Sequence, residues 1–175
     1  QSGYLKVSSL KQDGVPTKII ESGTILEVTL NKPLVSGAST VLDLEFNGHV
    51  PNLVRRAGKN SKEGVAFSMA QWYPKMCEYD TDGWHTNPYV GREFYGVWGS
   101  FEVNINMDAS YTIAATGVLQ NAEEIGYGYS NTAVDTTLNR LTWKFKADKV
   151  HDFVWAADPE YTHDIVVNDN GPDFH

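Results

Sequence analysis

An apolar–polar alternation with a period of two residues recurs along the chain, and it restricts the fold more than any other feature of the sequence. Successive side chains of a strand point to opposite faces, so a strand with one face in a core and one in water reads this way. In residues 40–46, Val41, Asp43 and Glu45 alternate with Thr40, Leu42, Leu44 and Phe46. Residues 141–145 repeat the pattern, with Leu141, Trp143 and Phe145 on one side and Thr142 and Lys144 on the other. No segment carries a sustained apolar stripe at three- and four-residue spacing, so helices are not expected to build the core. The alternation predicts strands over residues 4–10, 17–20, 25–30, 40–46, 65–72, 96–105, 111–119, 137–147, 151–156 and 164–167. Turn signals separate them at Asp13-Gly14, Asn31-Lys32-Pro33, Ser36-Gly37, Asn47-Gly48, Asp82-Gly83 and Asn170-Gly171-Pro172. The fold class expected is all-β, with antiparallel sheets in a saddle- or sandwich-like arrangement.

One interval breaks this rhythm. Residues 73–92 hold Pro74, Asp80, Asp82, Gly83, Pro88 and Gly91 among Tyr73, Tyr79, Trp84 and Tyr89. A long irregular connection rich in aromatics reads either as a functional loop or as a packed surface loop. At 175 residues the chain is expected to form a single β domain, residues 1–175, large enough to bury a core without disulfides. Its opening, Gln1-Ser2-Gly3 followed directly by a strand, reads as the start of a segment cut from a longer chain.

The net charge of −8 disfavours nucleic acid, because an acidic surface repels phosphate backbones. The one basic cluster, Arg55, Arg56, Lys59 and Lys62, reads as an anion site or as a solvated loop. Cys77 is the single cysteine, so no intrachain disulfide can form. No apolar run approaches the ~18 residues of a membrane span.

Metal and nucleophile patterns are sparse. None of His49, His85, His151, His163 and His175 falls in an HExxH pair. His151-Asp152 and His163-Asp164 are adjacent, and strand neighbours point to opposite faces, so neither pair converges on one ion. Glu78, Asp80 and Asp82 before Gly83 imitate half of a calcium loop, but its last ligand position falls on Tyr89. There is no Gly-x-Ser-x-Gly elbow, and Gly117…Gly126-Tyr127-Gly128 lacks the ending of a phosphate loop. Glu123-Glu124 and Asp158 with Glu160 are acid pairs without a visible partner across a cleft. Trp72, Trp84, Trp98, Trp143 and Trp155 read as core or as a sugar-stacking platform. The chain is therefore expected to carry no complete catalytic site, no zinc ligand set and no cofactor motif, while Glu78, Asp80 and Asp82 read either as calcium ligands or as polar residues bonding their own turn.

Several ordered segments carry a resemblance. They are 67–75 (Phe-Ser-Met-Ala-Gln-Trp-Tyr-Pro-Lys), Gly83-Trp84-His85, 95–103, 111–117 (Tyr-Thr-Ile-Ala-Ala-Thr-Gly) and 150–158 (Val-His-Asp-Phe-Val-Trp-Ala-Ala-Asp), with 23–46 before them. Together they resemble the N-terminal domain of the gluzincin zinc aminopeptidases, the aminopeptidase N family, in a bacterial branch. The resemblance implies a non-catalytic β-saddle, the later part of that N-terminal domain, packed on a zinc-bearing catalytic domain of the same polypeptide that lies outside this chain. It implies a peptide substrate and a parent metallo-aminopeptidase, and it points to a periplasmic or otherwise exported location. One functional residue carries over: the family's pattern of Ser, two residues, then Gln or Glu matches Ser68-Met69-Ala70-Gln71, so Gln71 is expected to help hold the substrate's free amine. Its amide oxygen suits that role, since it accepts from an ammonium. Downstream, Lys75-Met76-Cys77-Glu78-Tyr79-Asp80 departs from the spacing of the family's Phe-Pro-Cys-x-Asp-Glu-Pro run. The alternative is a free-standing β-sandwich module that binds carbohydrate or protein through its loop aromatics.

Overall fold

Most of the expected strands form, several of them shortened or split, and every named strand pair is antiparallel; the isolated bridge between Asn52 and Lys59 is parallel. A computed structural model describes residues 3–52, 56–87, 96–135 and 137–171 of the chain. In chain order the strands are β1 (Tyr4–Gln12), β2 (Val15–Pro16), β3 (Lys18–Ser22), β4 (Ile25–Thr29), β5 (Leu42–His49), β6 (Ala57–Lys59) and β7 (Phe67–Met69). They continue as β8 (Tyr79–Asp80), β9 (Gly83–Trp84), β10 (Gly99–Asp108), β11 (Thr112–Ala115), β12 (Val118–Leu119), β13 (Arg140–Val150) and β14 (Trp155–Asp158). A single helical turn, α1 (Ala122–Ile125), lies between β12 and β13. No helix of the described residues is long and apolar enough to cross a membrane.

Two compact units emerge, one of residues 1–50 with 73–96, the other of residues 51–72 with 97–175. The first holds the three-stranded sheet β2-β1-β5 and the hairpins β3-β4 and β8-β9. Asp13 and Gly14 both take positive φ (49° and 81°), the geometry of the tight turn that joins β1 to β2 with the right twist. On β5 the polar residues Asp43 and Glu45 are exposed, and Leu42, Leu44 and Phe46 are half-buried. Asn47-Gly48, a turn signal in the sequence, lies inside β5, where Asn47 pairs with Lys6 and Gly48 with Leu5. The glycine suits that position because a Cβ would stand 3.3 Å from the Tyr4 carbonyl oxygen.

The second unit contains the core. Its sheets are β10-β13-β12 and β11-β14-β7-β6. β13 alternates as the sequence predicts: Leu141, Trp143, Phe145 and Ala147 are buried, while Lys144 and Lys146 face solvent. Ile105 from the same sheet joins them, and Ile113 and Ala157 arrive from the other sheet. Trp143 and Phe153 are fully buried; Trp143 stacks on Phe145 at 6.3 Å, and Phe153 lies against both Phe101 and Phe145. Two inward faces thus share one aromatic core, the sandwich solution for sheets with one apolar face.

The segment 111–119 reads as one strand but splits into β11 and β12, which belong to different sheets. Gly117 is the reason. It turns the chain at φ 89°, and a Cβ there would collide with the Lys146 carbonyl and Ala147 Cβ. Residues 65–72 shorten to β7, and 151–156 extends only from Trp155. Residues 164–167 form no strand; Ile165, Val166 and Val167 are exposed, and Val166 alone makes a single bridge.

Candidate functional site

β7 is a short strand in the middle of its sheet, paired with β14 on one side and β6 on the other. Its last rung matches Met69 to Trp155 and to Ala57. Past that rung the chain turns sharply: Gln71 takes φ 57°, a left-handed conformation that non-glycine residues rarely adopt. Carrying the antiparallel register onward sets residues 70–72 opposite residues 152–154, and hydrogen bonds close the gap. Gln71 Nε2 donates to Asp152 Oδ2 at 2.7 Å, and Trp72 Nε1 donates to the Phe153 carbonyl at 3.0 Å. Asp152 Oδ1 accepts from the Phe153 N–H at 2.7 Å.

This local arrangement decides which way the Gln71 amide points. An ionised carboxylate only accepts hydrogen bonds, so the NH2 end of the amide must face Asp152 and the carbonyl end must face away. No described residue donates to Gln71 Oε1. The half-buried Gln71 therefore offers an oriented carbonyl acceptor at the end of a central strand, able to bind an ammonium or another N–H donor. At the other end of β14 a second acid serves the backbone alone. The buried Asp158 accepts from the Ala66 N–H at 2.7 Å and the Glu160 N–H at 2.8 Å.

The other sequence candidates separate. Asp80 Oδ1 accepts from the Asp82 N–H at 2.8 Å and its Oδ2 contacts His85 Nε2 at 2.7 Å, so both oxygens serve the β8–β9 turn. Those bonds hold its carboxyl below the usual carboxylate range, the Asp82 N–H contributing most and His85 next. Among the described residues, no group of three or more His, Cys, Asp and Glu side chains gathers to hold a metal. His151 turns edge-on to Trp98 at 4.8 Å, and His163 stacks on Tyr129 at 3.9 Å. Trp143 is core and Trp72 and Trp155 pack beside it, whereas Trp84 and Trp98 are exposed. The exposed Tyr79–Trp84 pair is tilted by 56°, which is not the coplanar row a sugar platform needs. In the basic cluster Arg56 and Lys59 are half-buried and Lys62 is exposed. Arg55, Pro88, Tyr89, Gly91, Pro172 and His175, with part of the 95–103 segment, lie outside the described residues.

Asp152 figured in the sequence only beside His151, as a metal pair set aside, and not as a partner of Gln71. It stands 81 positions from Gln71, and only the register between β7 and β14 brings the two together.

No protein-family model matches the chain, and no curated protein matches it. Among solved structures it is similar to a crystal structure of an M1 zinc metallopeptidase from Deinococcus radiodurans, a Glu-to-Ala mutant bound to a Tyr-Ser-Ala substrate. The TM-score is 0.51 at 18% identity, over 87% of this chain and 32% of that one. The likeness shows a shared fold, and the chain spans about a third of the solved protein's length.

Proposed function

We propose that the chain is a non-catalytic β domain of a zinc metallo-aminopeptidase, the later part of an N-terminal domain of the aminopeptidase N type. In this reading it packs on a catalytic domain of the same polypeptide and binds the free amine of a peptide substrate through Gln71. The observation that carries the reading is the fold likeness over 87% of the chain to a metallopeptidase that holds a tripeptide. The oriented Gln71 carbonyl supports the residue assignment, because a peptide's N-terminal ammonium needs an acceptor that is itself not a donor.

Zinc in this reading belongs to the catalytic domain, where it would polarise the scissile carbonyl and activate water. The described side chains of this chain supply no ligand set for it, so their part in the chemistry is recognition. Gln71 Oε1 accepts a charge-assisted hydrogen bond from the ammonium, which selects peptides with a free N-terminus and fixes their register.

A hydrogen bond to a charged group contributes roughly 1.5–3 kcal/mol, so Gln71→Ala in the full-length protein should lower kcat/KM by about ten- to a hundredfold. If the contact serves ground state and transition state alike, the loss lies mainly in KM. The test compares hydrolysis of a free-amine tripeptide with inhibition by the same peptide N-acetylated. Wild-type kinetics in a folded Gln71→Ala protein would remove Gln71 from the site.

A further inference from the structure

We infer that Asp152 is a positioning residue for Gln71, and that its carboxylate sets the polarity of the amine contact. The inference rests on the Gln71 reading above and adds a residue to it. The two ends of a glutamine amide are nearly the same in shape but opposite in hydrogen-bonding character, so an unsupported Gln71 could present NH2 as readily as C=O. Presenting NH2 to an ammonium sets donor against donor. The Asp152 carboxylate removes that choice by accepting Nε2 at 2.7 Å.

Both members of the pair are braced. Asp152 Oδ1 is held by the Phe153 N–H at 2.7 Å, and Phe153 is fully buried between Phe101 and Phe145. The turn that carries Gln71 is tied to the same residue by the Trp72 bond to the Phe153 carbonyl. Backbone held in an uncommon region beside a polar pair marks a place where geometry is maintained against a local cost. The negative charge behind the amide also polarises it, which strengthens acceptance at Oε1.

This geometry changes what a carboxylate at position 71 would do. On its own a carboxylate pairs with an ammonium better than an amide does. Beside Asp152 it would set two acidic oxygens within hydrogen-bond distance of each other, and one must then hold a proton or swing away. Gln71→Glu is therefore expected to weaken amine binding in the wild-type background. It should restore binding in an Asp152→Asn background, because the new Asn NH2 donates to one oxygen of the new Glu and leaves the other facing the substrate.

The experiment has two readouts. In the full-length protein, kcat and KM are measured on a free-amine tripeptide for Gln71→Ala, Gln71→Glu, Asp152→Asn and the Gln71→Glu/Asp152→Asn double variant. In the 175-residue chain, the Gln71 side-chain amide resonances are followed by NMR with and without Asp152→Asn. Asp152→Asn keeps an acceptor for Phe153 N–H and puts a donor where an acceptor faces Gln71, so it should move the Gln71 amide resonances. It should raise KM by about tenfold, as expected for one charge-assisted bond, with kcat little changed. The double variant should return KM toward wild type, a rescue that a merely structural role does not predict. If Asp152→Asn keeps wild-type KM while Gln71→Ala raises it, the positioning role is overturned and the Gln71 reading survives. A double variant no better than Asp152→Asn alone also overturns it. If both Gln71→Ala and Asp152→Asn behave as wild type, the Gln71 reading falls and the inference falls with it.

Discussion

Single residues in this chain hold loops in place by imitating backbone. Gln12, buried on β1, donates through Nε2 to the Lys32 carbonyl and accepts the Lys32 N–H, each at 3.0 Å, as a neighbouring strand would. Asp13 completes the clasp: its Oδ1 accepts from the Val41 N–H at 2.9 Å and its Oδ2 from the Thr40 hydroxyl at 3.0 Å. Those bonds hold its carboxyl below the ordinary range, the Val41 N–H first and Thr40 second. A carboxyl depressed in the folded state contributes stability above its unfolded pKa and loses it as pH falls through its folded pKa. Acidification below the usual carboxylate range should therefore loosen the 31–41 loop, and the protection of the Val41 amide relative to its intrinsic exchange rate should fall there. Asp13→Asn should exchange faster already at neutral pH and lose that acid dependence. Hydrogen exchange read by NMR checks this, and a Val41 protection factor that is flat through the acid range in wild type would refute the clasp.

At the scale of elements, β13 and the β11–β12 crossing carry the consequences. Trp143 stands at the centre of the core with Tyr127 and Tyr129 against it, and Tyr127 also donates from its hydroxyl to the Ala109 carbonyl. Trp143→Ala should cost ~3–5 kcal/mol by cavity formation. Its neighbour Lys144 points to solvent and pairs with Glu124 at 3.4 Å, both side chains being well exposed. Lys144→Ala should change stability by no more than ~0.5–1 kcal/mol. Urea denaturation of the two variants reads the alternation directly, since similar midpoints would mean that β13 lies in another register. Gly117→Ala tests the sheet switch in the same assay. A side chain there meets both a positive φ and the Lys146 carbonyl, so the loss should exceed the ~1 kcal/mol of backbone strain alone.

For the molecule as a whole, the buried residues are unevenly divided. Leu10 and Gln12 are the buried residues described in the unit of residues 1–50 and 73–96, and the aromatic core belongs to the other unit. Protection from exchange follows buried apolar packing, so amides of β10 and β13 should exchange slowest and those of β3 and β4 far faster. Uniform protection across both units would contradict that division. Metal analysis belongs to this scale too. The purified 175-residue chain should carry no stoichiometric zinc, and the full-length protein of the proposed reading should carry it. Chelator-sensitive hydrolysis by the short chain alone would defeat the proposed reading.

How much was legible follows from what is local. Which face of β5 or β13 turns inward is set residue by residue, because alternate side chains of any strand lie on opposite faces; Leu141, Trp143 and Phe145 declare it with no knowledge of a partner. The Asp13-Gly14 turn is equally local, since its two positive φ values are what those residues tolerate. Gln71 was reached through a resemblance, and nothing in the residues around it reports an acid 81 positions away. That pairing, like the placement of β11 and β12 in different sheets, depends on which strands lie side by side and in what register. A strand's own sequence specifies its faces but not its neighbours. Only the assembled sheets decide that the Asp152 carboxylate meets the Gln71 amide and so determines which end of the amide is turned away from the acid.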